Sequence, residues 1–190
     1  MCWKHCSACH PGLIDPKRSK EESGKLEAVL EQITQVAADG HKALVFSQFT
    51  SLLDIVRRRL DKQKIRYAYL DGKTTKRQAV VEQFQSDPSC PLFLISLKAG
   101  GHGLNLTAAD YVFILDPWWN PAVAAQAVDR AHRLGQDRHV FAYRLISKDT
   151  VEERILEMQR EKRDLADAVI SADASLISSL TAEDLTMLLS

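Results

Sequence analysis

From Lys25 onward, apolar residues at Leu26, Val29, Leu30, Ile33 and Val36 recur at helical spacing and predict a helix that ends at Asp39-Gly40. Ala43-Leu-Val-Phe46 is then a short, unbroken apolar run, suited to a strand buried on both faces. Leu52, Leu53, Val56 and Leu60 define a second helix, and Tyr67 to Leu70 a second strand closed by Asp71-Gly72. A helix from about Lys76 to Gln85 turns Val80, Val81 and Phe84 inward. Leu92-Phe-Leu-Ile95 and Tyr111-Val-Phe-Ile-Leu115 read as the third and fourth strands. A helix over Ala122 to Arg133 and a fifth strand from Val140 to Ile146 follow. Strands alternating with helices across short connections predict an α/β fold, a mainly parallel sheet covered by helices on both faces.

The pattern changes at both ends. Residues 11–24 are polar and broken by Pro11, Gly12, Pro16 and Gly24, which reads as a linker. After Ser147, Asp149 or Thr150 can cap a long helix, with Glu152 and Glu153 placed against the dipole of its first turn. Its expected apolar stripe is Val151, Ile155, Met158, Leu165 and Val169; Glu157, Arg160, Glu161, Arg163 and Asp164 form the solvated face. A last short helix is expected after Thr181-Ala-Glu-Asp184. The division is therefore a linker over 1–24, an α/β lobe over 25–148 and a helical tail over 149–190.

Charge adds one local feature. Lys+Arg and Asp+Glu both number 25, so no general attraction to polyanions is expected. From Asp129 to Lys148, however, Arg130, Arg133, Arg138, Arg144 and Lys148 outweigh Asp129 and Asp137. No apolar run approaches the roughly 20 residues that span a bilayer, and no signal-peptide pattern opens the chain, which points to an intracellular protein. Three of the four cysteines lie in Cys2-Trp-Lys-His-Cys-Ser-Ala-Cys-His10. Zinc ribbons pair two separated knuckles, and no second knuckle follows, so this turn is read as small sulfur side chains in a buried helical segment and no metal site is assigned.

Ligands of an open parallel sheet bind in the loops at the carboxyl ends of its strands. Ser47-Gln-Phe-Thr50 follows the first strand, Ser96 to Asn105 the third and Asp116-Pro-Trp-Trp-Asn-Pro121 the fourth. Gly100, Gly101 and Gly103 let backbone approach a ligand closely, and free N–H groups in such a loop suit a phosphate. In Gln126-Ala-Val-Asp-Arg-Ala-His-Arg-Leu-Gly-Gln136, Arg130 and Arg133 would share one face of a continuous helix and converge on one anion. A guanidinium is always charged and grips phosphate bidentately, which lysine cannot copy.

The blocks Lys98 to Asn105, Asp116 to Pro121 and Gln126 to Gln136, in this order, resemble motifs V, Va and VI of the SWI/SNF-type DNA-dependent ATPases of helicase superfamily two. Ser47 to Thr50 resembles motif IV, and Gly72-Lys-Thr-Thr75 with Arg77 the motif between IV and V; as residues alone, the latter reads equally well as a capped helix N-terminus. Cys9-His-Pro11 resembles the end of the family's inter-lobe region, so Met1 is expected to be a cut through a longer chain. The resemblance implies the second of two RecA-like lobes. It implies arginine fingers at Arg130 and Arg133, with Gly103, Asn105 and Gln126 also near the nucleotide. DNA contacts are implied at Ser47, Gln48, Gly72, Arg77, Ser96, Lys98, Ala99, Gly100, Trp118 and Asn120. Leu97 stands where the family often has Thr, so no hydroxyl–phosphate contact is expected there. The bulk of Trp118 and Trp119 also suits packing between loop and core.

Half of an ATPase site is missing. Gly24-Lys25 and Gly72-Lys73 lack the upstream glycine spacing of a phosphate loop, and no Asp-Glu-x-His box is present. ATP with Mg²⁺ is therefore expected to be held mainly by an N-terminal RecA-like lobe, this chain alone being inactive. Implied partners are that lobe, double-stranded DNA and a possible protein on the DNA, with no membrane. The compact ending resembles bacterial members, which implies a cytoplasmic location, or a nuclear one in a eukaryote. Two rival readings stand beside it: a non-catalytic DNA-binding or partner-docking module, and a nucleotide-binding transferase-like α/β domain.

Overall fold

A computed structural model describes residues 23–99, 104–117, 121–132, 136, 138–148 and 150–170. Ten elements follow in order: α1 (Gly24–Ala38), β1 (Ala43–Ser47), α2 (Thr50–Gln63), β2 (Tyr67–Leu70), α3 (Arg77–Ser86), β3 (Leu92–Ser96), β4 (Tyr111–Ile114), α4 (Pro121–Val128), β5 (Phe141–Arg144) and α5 (Val151–Ile170). The five strands form one sheet in the order β2-β3-β1-β4-β5, and every pairing is parallel. β1 lies at the centre, with Ala43 aligned to Leu92 on one side and Tyr111 on the other.

The alternating side chains of the strands divide the core into two layers. Ala43, Val45, Leu92, Leu94 and Phe113 face Leu26, Val29, Leu30 and Ile33 of α1 and Leu52, Leu53, Val56 and Leu60 of α2. Leu44, Phe46, Phe93, Ile95 and Val112 face Val81 and Phe84 of α3 and Ala124 and Ala127 of α4. β1 and β3 are buried along their whole length, which is why their sequences run apolar without alternation. α1 ends in paired bonds from Gly40 N to the Ala37 carbonyl and His41 N to the Val36 carbonyl, with Gly40 at φ +81°. That left-handed position costs glycine nothing and terminates the helix where the sequence indicated.

Three expectations change. α4 stops at Val128 rather than Arg133, so Arg130 lies in a turn and not on a helical face. The chain tightens there, with Ala131 N bonded to the Val128 carbonyl, while Leu106 N takes the Arg130 carbonyl that a longer helix would use itself. In α5, Val151 and Met158 of the expected stripe are exposed; the inward positions are Glu152, Ile155 and Gln159. Glu152 faces inward because Lys25 Nζ reaches both its oxygens at 2.7 and 2.6 Å and Ser147 N donates to Oε2 at 2.8 Å. β5 is an edge strand exposed along its length, with Phe141 and Tyr143 stacked beside Tyr111 and Phe113. The cysteine-rich turn, the linker over 1–22 and the helix expected after Thr181 lie outside the described residues.

Candidate functional site

β1 leads through α2 towards one edge of the sheet and β4 through α4 towards the other, so a crevice opens between their carboxyl ends. Backbone bonds tie the loops beside it together. Leu97 N donates to the Ser47 carbonyl and Leu115 N to the Phe46 carbonyl, each at 2.9 Å. Gln48 N donates to Asp116 Oδ2 at 2.8 Å, and Gln48 Nε2 to the Pro117 carbonyl at 3.3 Å. Asp116 is only 1% exposed, and its Oδ1 has no hydrogen-bond partner among the described residues. Burial pushes its pKa up to about 6, against the opposing hydrogen bond from Gln48 N.

Towards β2 the crevice continues as a groove of about 510 Å³ lined by Gln48, Thr50, Asp54, Arg57, Tyr69, Asp71, Gly72, Lys73, Ser96 and Lys98. Lys98, Gly72 and Lys73 are exposed within it. The Arg57 guanidinium lies 4.3 Å from the Tyr69 ring centroid and pairs with Asp54 at 3.1 Å. Asp71 closes its own turn by accepting from Lys73 N and Thr74 Oγ1. With Arg57, Lys73 and Lys98 against two locally engaged carboxylates, the groove suits a sugar-phosphate backbone.

On the β4 side, a second cluster joins the end of the glycine loop to the turn after α4. Leu106 N donates to the Arg130 carbonyl at 3.1 Å. Gln136 Nε2 donates to the carbonyls of Thr107, Ala109 and Ala131 at 3.0, 2.7 and 3.3 Å, while its Oε1 accepts from Arg138 N. Gln85 bonds the Asn105 carbonyl and Ala108 N from α3. Arg130 is 7% exposed and its Nε donates to the Gln126 carbonyl at 3.0 Å. Gln126 and Asn105 have exposed side chains.

Of the residues marked in the sequence, Gln48, Gly72, Ser96 and Lys98 come together in the groove. Ser47 and Ser96 are buried, and the Ser47 hydroxyl is engaged with the Phe49 backbone, so it shapes the loop rather than facing a ligand. Arg77 donates to the Ala99 carbonyl, and Ala99 is itself buried; these two join α3 to the glycine loop and do not line the groove. Asn105 lies in a separate cleft with Gln78, Glu82 and Gln85. Gly100, Gly103, Trp118, Asn120 and Arg133 lie outside the described residues. Sequence reasoning assigned no part to Arg57, Tyr69 or Gln136. A basic residue among apolar helix positions and an aromatic strand end are common, and nothing local marks a glutamine that bonds three distant carbonyls.

Residues 24–135 match the family described as the helicase conserved C-terminal domain. The chain is 48% identical over 145 residues to the DNA repair protein rad8 of Schizosaccharomyces pombe, covering 74% of this chain and 13% of that protein. It is 46% identical over 152 residues to the chromatin-remodeling ATPase INO80 of Drosophila melanogaster, covering 79% of this chain and 9% of that one. The crystal structure of the C-terminal part of the Fun30 ATPase domain superposes with a TM-score of 0.68 at 35% identity, over 78% of this chain and 51% of that one. The chain therefore spans only a small part of these curated relatives. With its parallel five-stranded sheet and these matches, it belongs to the helicase conserved C-terminal domain family, among relatives that are helicases of the SWI/SNF type.

Proposed function

We propose that this chain is the second lobe of an ATP-driven double-stranded DNA translocase, with residues 25–148 as the lobe and 149–190 as its bracing tail. The observation that carries the reading is the joining of two surfaces through one loop. Its start, at Ser96 and Lys98, lines the basic groove, and its end, at Leu106, is bonded to the turn that carries Arg130. A shift in how DNA lies against Lys98 would thereby bear, through this one loop, on the turn that carries Arg130. DNA contact would fall mainly on the backbone, through Gln48, Lys98 and the Gly72-Lys73 turn, and so be salt-sensitive and largely independent of sequence.

The Arg130 guanidinium is a donor only, and the exposed amides of Gln126 and Asn105 can donate as well as accept. They suit phosphate and ribose oxygens, whereas Mg²⁺ requires oxygen ligands and is assigned to the first lobe. When bound between the lobes, ATP supplies the phosphoryl group whose developing charge Arg130 and Arg133 stabilise. Arg130 is buried, so reaching a phosphate across the cleft requires its guanidinium to turn outward as the lobes close.

The test is ATP hydrolysis with and without duplex DNA, for this chain alone and mixed with a separately made first lobe. Hydrolysis only in the DNA-containing mixture is expected. In the complete enzyme, Arg133→Ala is expected to remove DNA-stimulated hydrolysis while DNA binding survives; normal turnover would refute the arginine-finger role. The inward set of Arg130 favours one other reading, a DNA-binding or partner-docking module without catalysis. No hydrolysis in the mixture despite proven lobe association would establish it.

A further inference from the structure

The basic excess between Asp129 and Lys148 is not used up by the turn that carries Arg130. Its last members, Arg144 and Lys148, line a groove of about 570 Å³ beyond the end of β5, together with Lys25, Gln32, Tyr143 and Thr150. No carboxylate is among the described residues that line it. Lys25 is occupied by Glu152, but Arg144 and Lys148 have no ion pair among the described residues. Arg144 is held below the usual arginine pKa, first by desolvation and then by the positive charge of Arg163 on α5. The exposed Lys148 adds a second positive charge to the same groove, and a bound anion would engage both. Two long helices also begin at the groove: Gly24 and Lys25 open α1, and Thr150 immediately precedes α5. Their positive dipole ends add to the field of the side chains, that of α5 offset in part by Glu152 and Glu153 in its first turn.

We infer that this groove is a phosphate-binding site, separate from the groove at Lys98, in which Arg144 and Lys148 supply the charge and the starts of α1 and α5 the surrounding field. Its ligand is a phosphate group, carried either by a nucleic-acid backbone or by a free phosphorylated molecule. The site lies at the carboxyl end of β5, on the same end of the sheet as the groove at Lys98 but across β1 and β4 from it. A duplex seated at Lys98 could reach it only by crossing those strand ends.

The experiment measures binding of inorganic pyrophosphate by calorimetry, and of a short duplex by fluorescence anisotropy at several salt concentrations, to the full 190-residue chain. The variants are Arg144→Gln/Lys148→Gln and, should the pair disturb folding, the exposed Lys148→Gln alone; Lys98→Gln reports on the other groove. Wild type is expected to bind pyrophosphate, and the double variant at least tenfold more weakly. If duplex affinity falls in parallel and its log–log salt slope drops by about 2, near 0.9 per lost phosphate contact, the phosphate is DNA's. If pyrophosphate binding falls while duplex binding holds, the ligand is a free phosphorylated molecule. Absence of pyrophosphate and duplex binding in wild type, or equal binding of both by wild type and variant, overturns the site. Loss of duplex binding in Lys98→Gln alone speaks to the translocase reading and leaves this one to the pyrophosphate arm.

Discussion

At Asp116 one carboxylate oxygen is bonded to Gln48 N while the other is closed off from solvent without a described partner, and the group titrates from that buried position. Its pKa in the fold, about 6, lies above its ordinary value of 3.8, chiefly through burial. A raised value means that the folded protein holds the proton more tightly, so the stabilisation is present below about pH 4 and is lost as pH rises through 6. The loss is on the order of 3 kcal/mol at 1.36 kcal/mol per pH unit. Asp116→Asn keeps an acceptor for Gln48 N and cannot ionise. Urea midpoints of variant and wild type should therefore diverge in the variant's favour between pH 4 and 7; a difference that stays constant with pH would show that the carboxyl does not titrate there. At this scale the sequence disclosed position better than orientation. It located Ser47, Ser96 and Asp116 at strand ends correctly, because apolar runs end where strands do. That Ser47 and Ser96 point inward is decided by neighbouring strands that a local pattern does not contain.

Among the elements, the most informative difference is at α4. The block from Gln126 reads as helix through Arg133 because nothing in it breaks a helix before Gly135. The helix stops at Val128, and just beyond it Leu106 bonds the Arg130 carbonyl and Gln136 bonds the Ala131 carbonyl from outside. Tertiary partners here outcompete local propensity. Gln136→Ala would leave the carbonyls of Thr107 and Ala109 without a donor they now share, at a cost of about 1–3 kcal/mol. Hydrogen exchange should quicken in 106–110 and 128–132 together, and Gln136→Asn, one methylene short, should not restore protection. Unchanged exchange in both segments would show that Leu106 alone holds them. β1 to β4 and α1 to α3, by contrast, are legible in the sequence, since each buries an apolar set in one of the two core layers.

Across the whole molecule, the Lys25–Glu152 pair joins the first described helix to the last. The sequence placed Glu152 against its own helix dipole; the buried lysine that claims it comes from the far end of the chain, which no window along the sequence spans. Removing Lys25 leaves the fully buried Glu152 carboxylate unpaired, so Lys25→Met is expected to cost about 3–5 kcal/mol, whereas Lys25→Met/Glu152→Leu together should be close to neutral. Denaturant unfolding of the three proteins gives the comparison. A single substitution as mild as the double one would mean that the pair is not what fastens α5.

The placing of β1 between β3 and β4 also has a consequence in time. Its neighbours are both made long after it, and the connection from β3 to β4 must cross over it before the sheet closes. During synthesis a strand that ends buried along its whole length therefore leaves the ribosome well ahead of the strands it pairs with. Folding should be slow, dominated by distant pairings, and most exposed to aggregation while the chain has passed β1 but not yet reached β4.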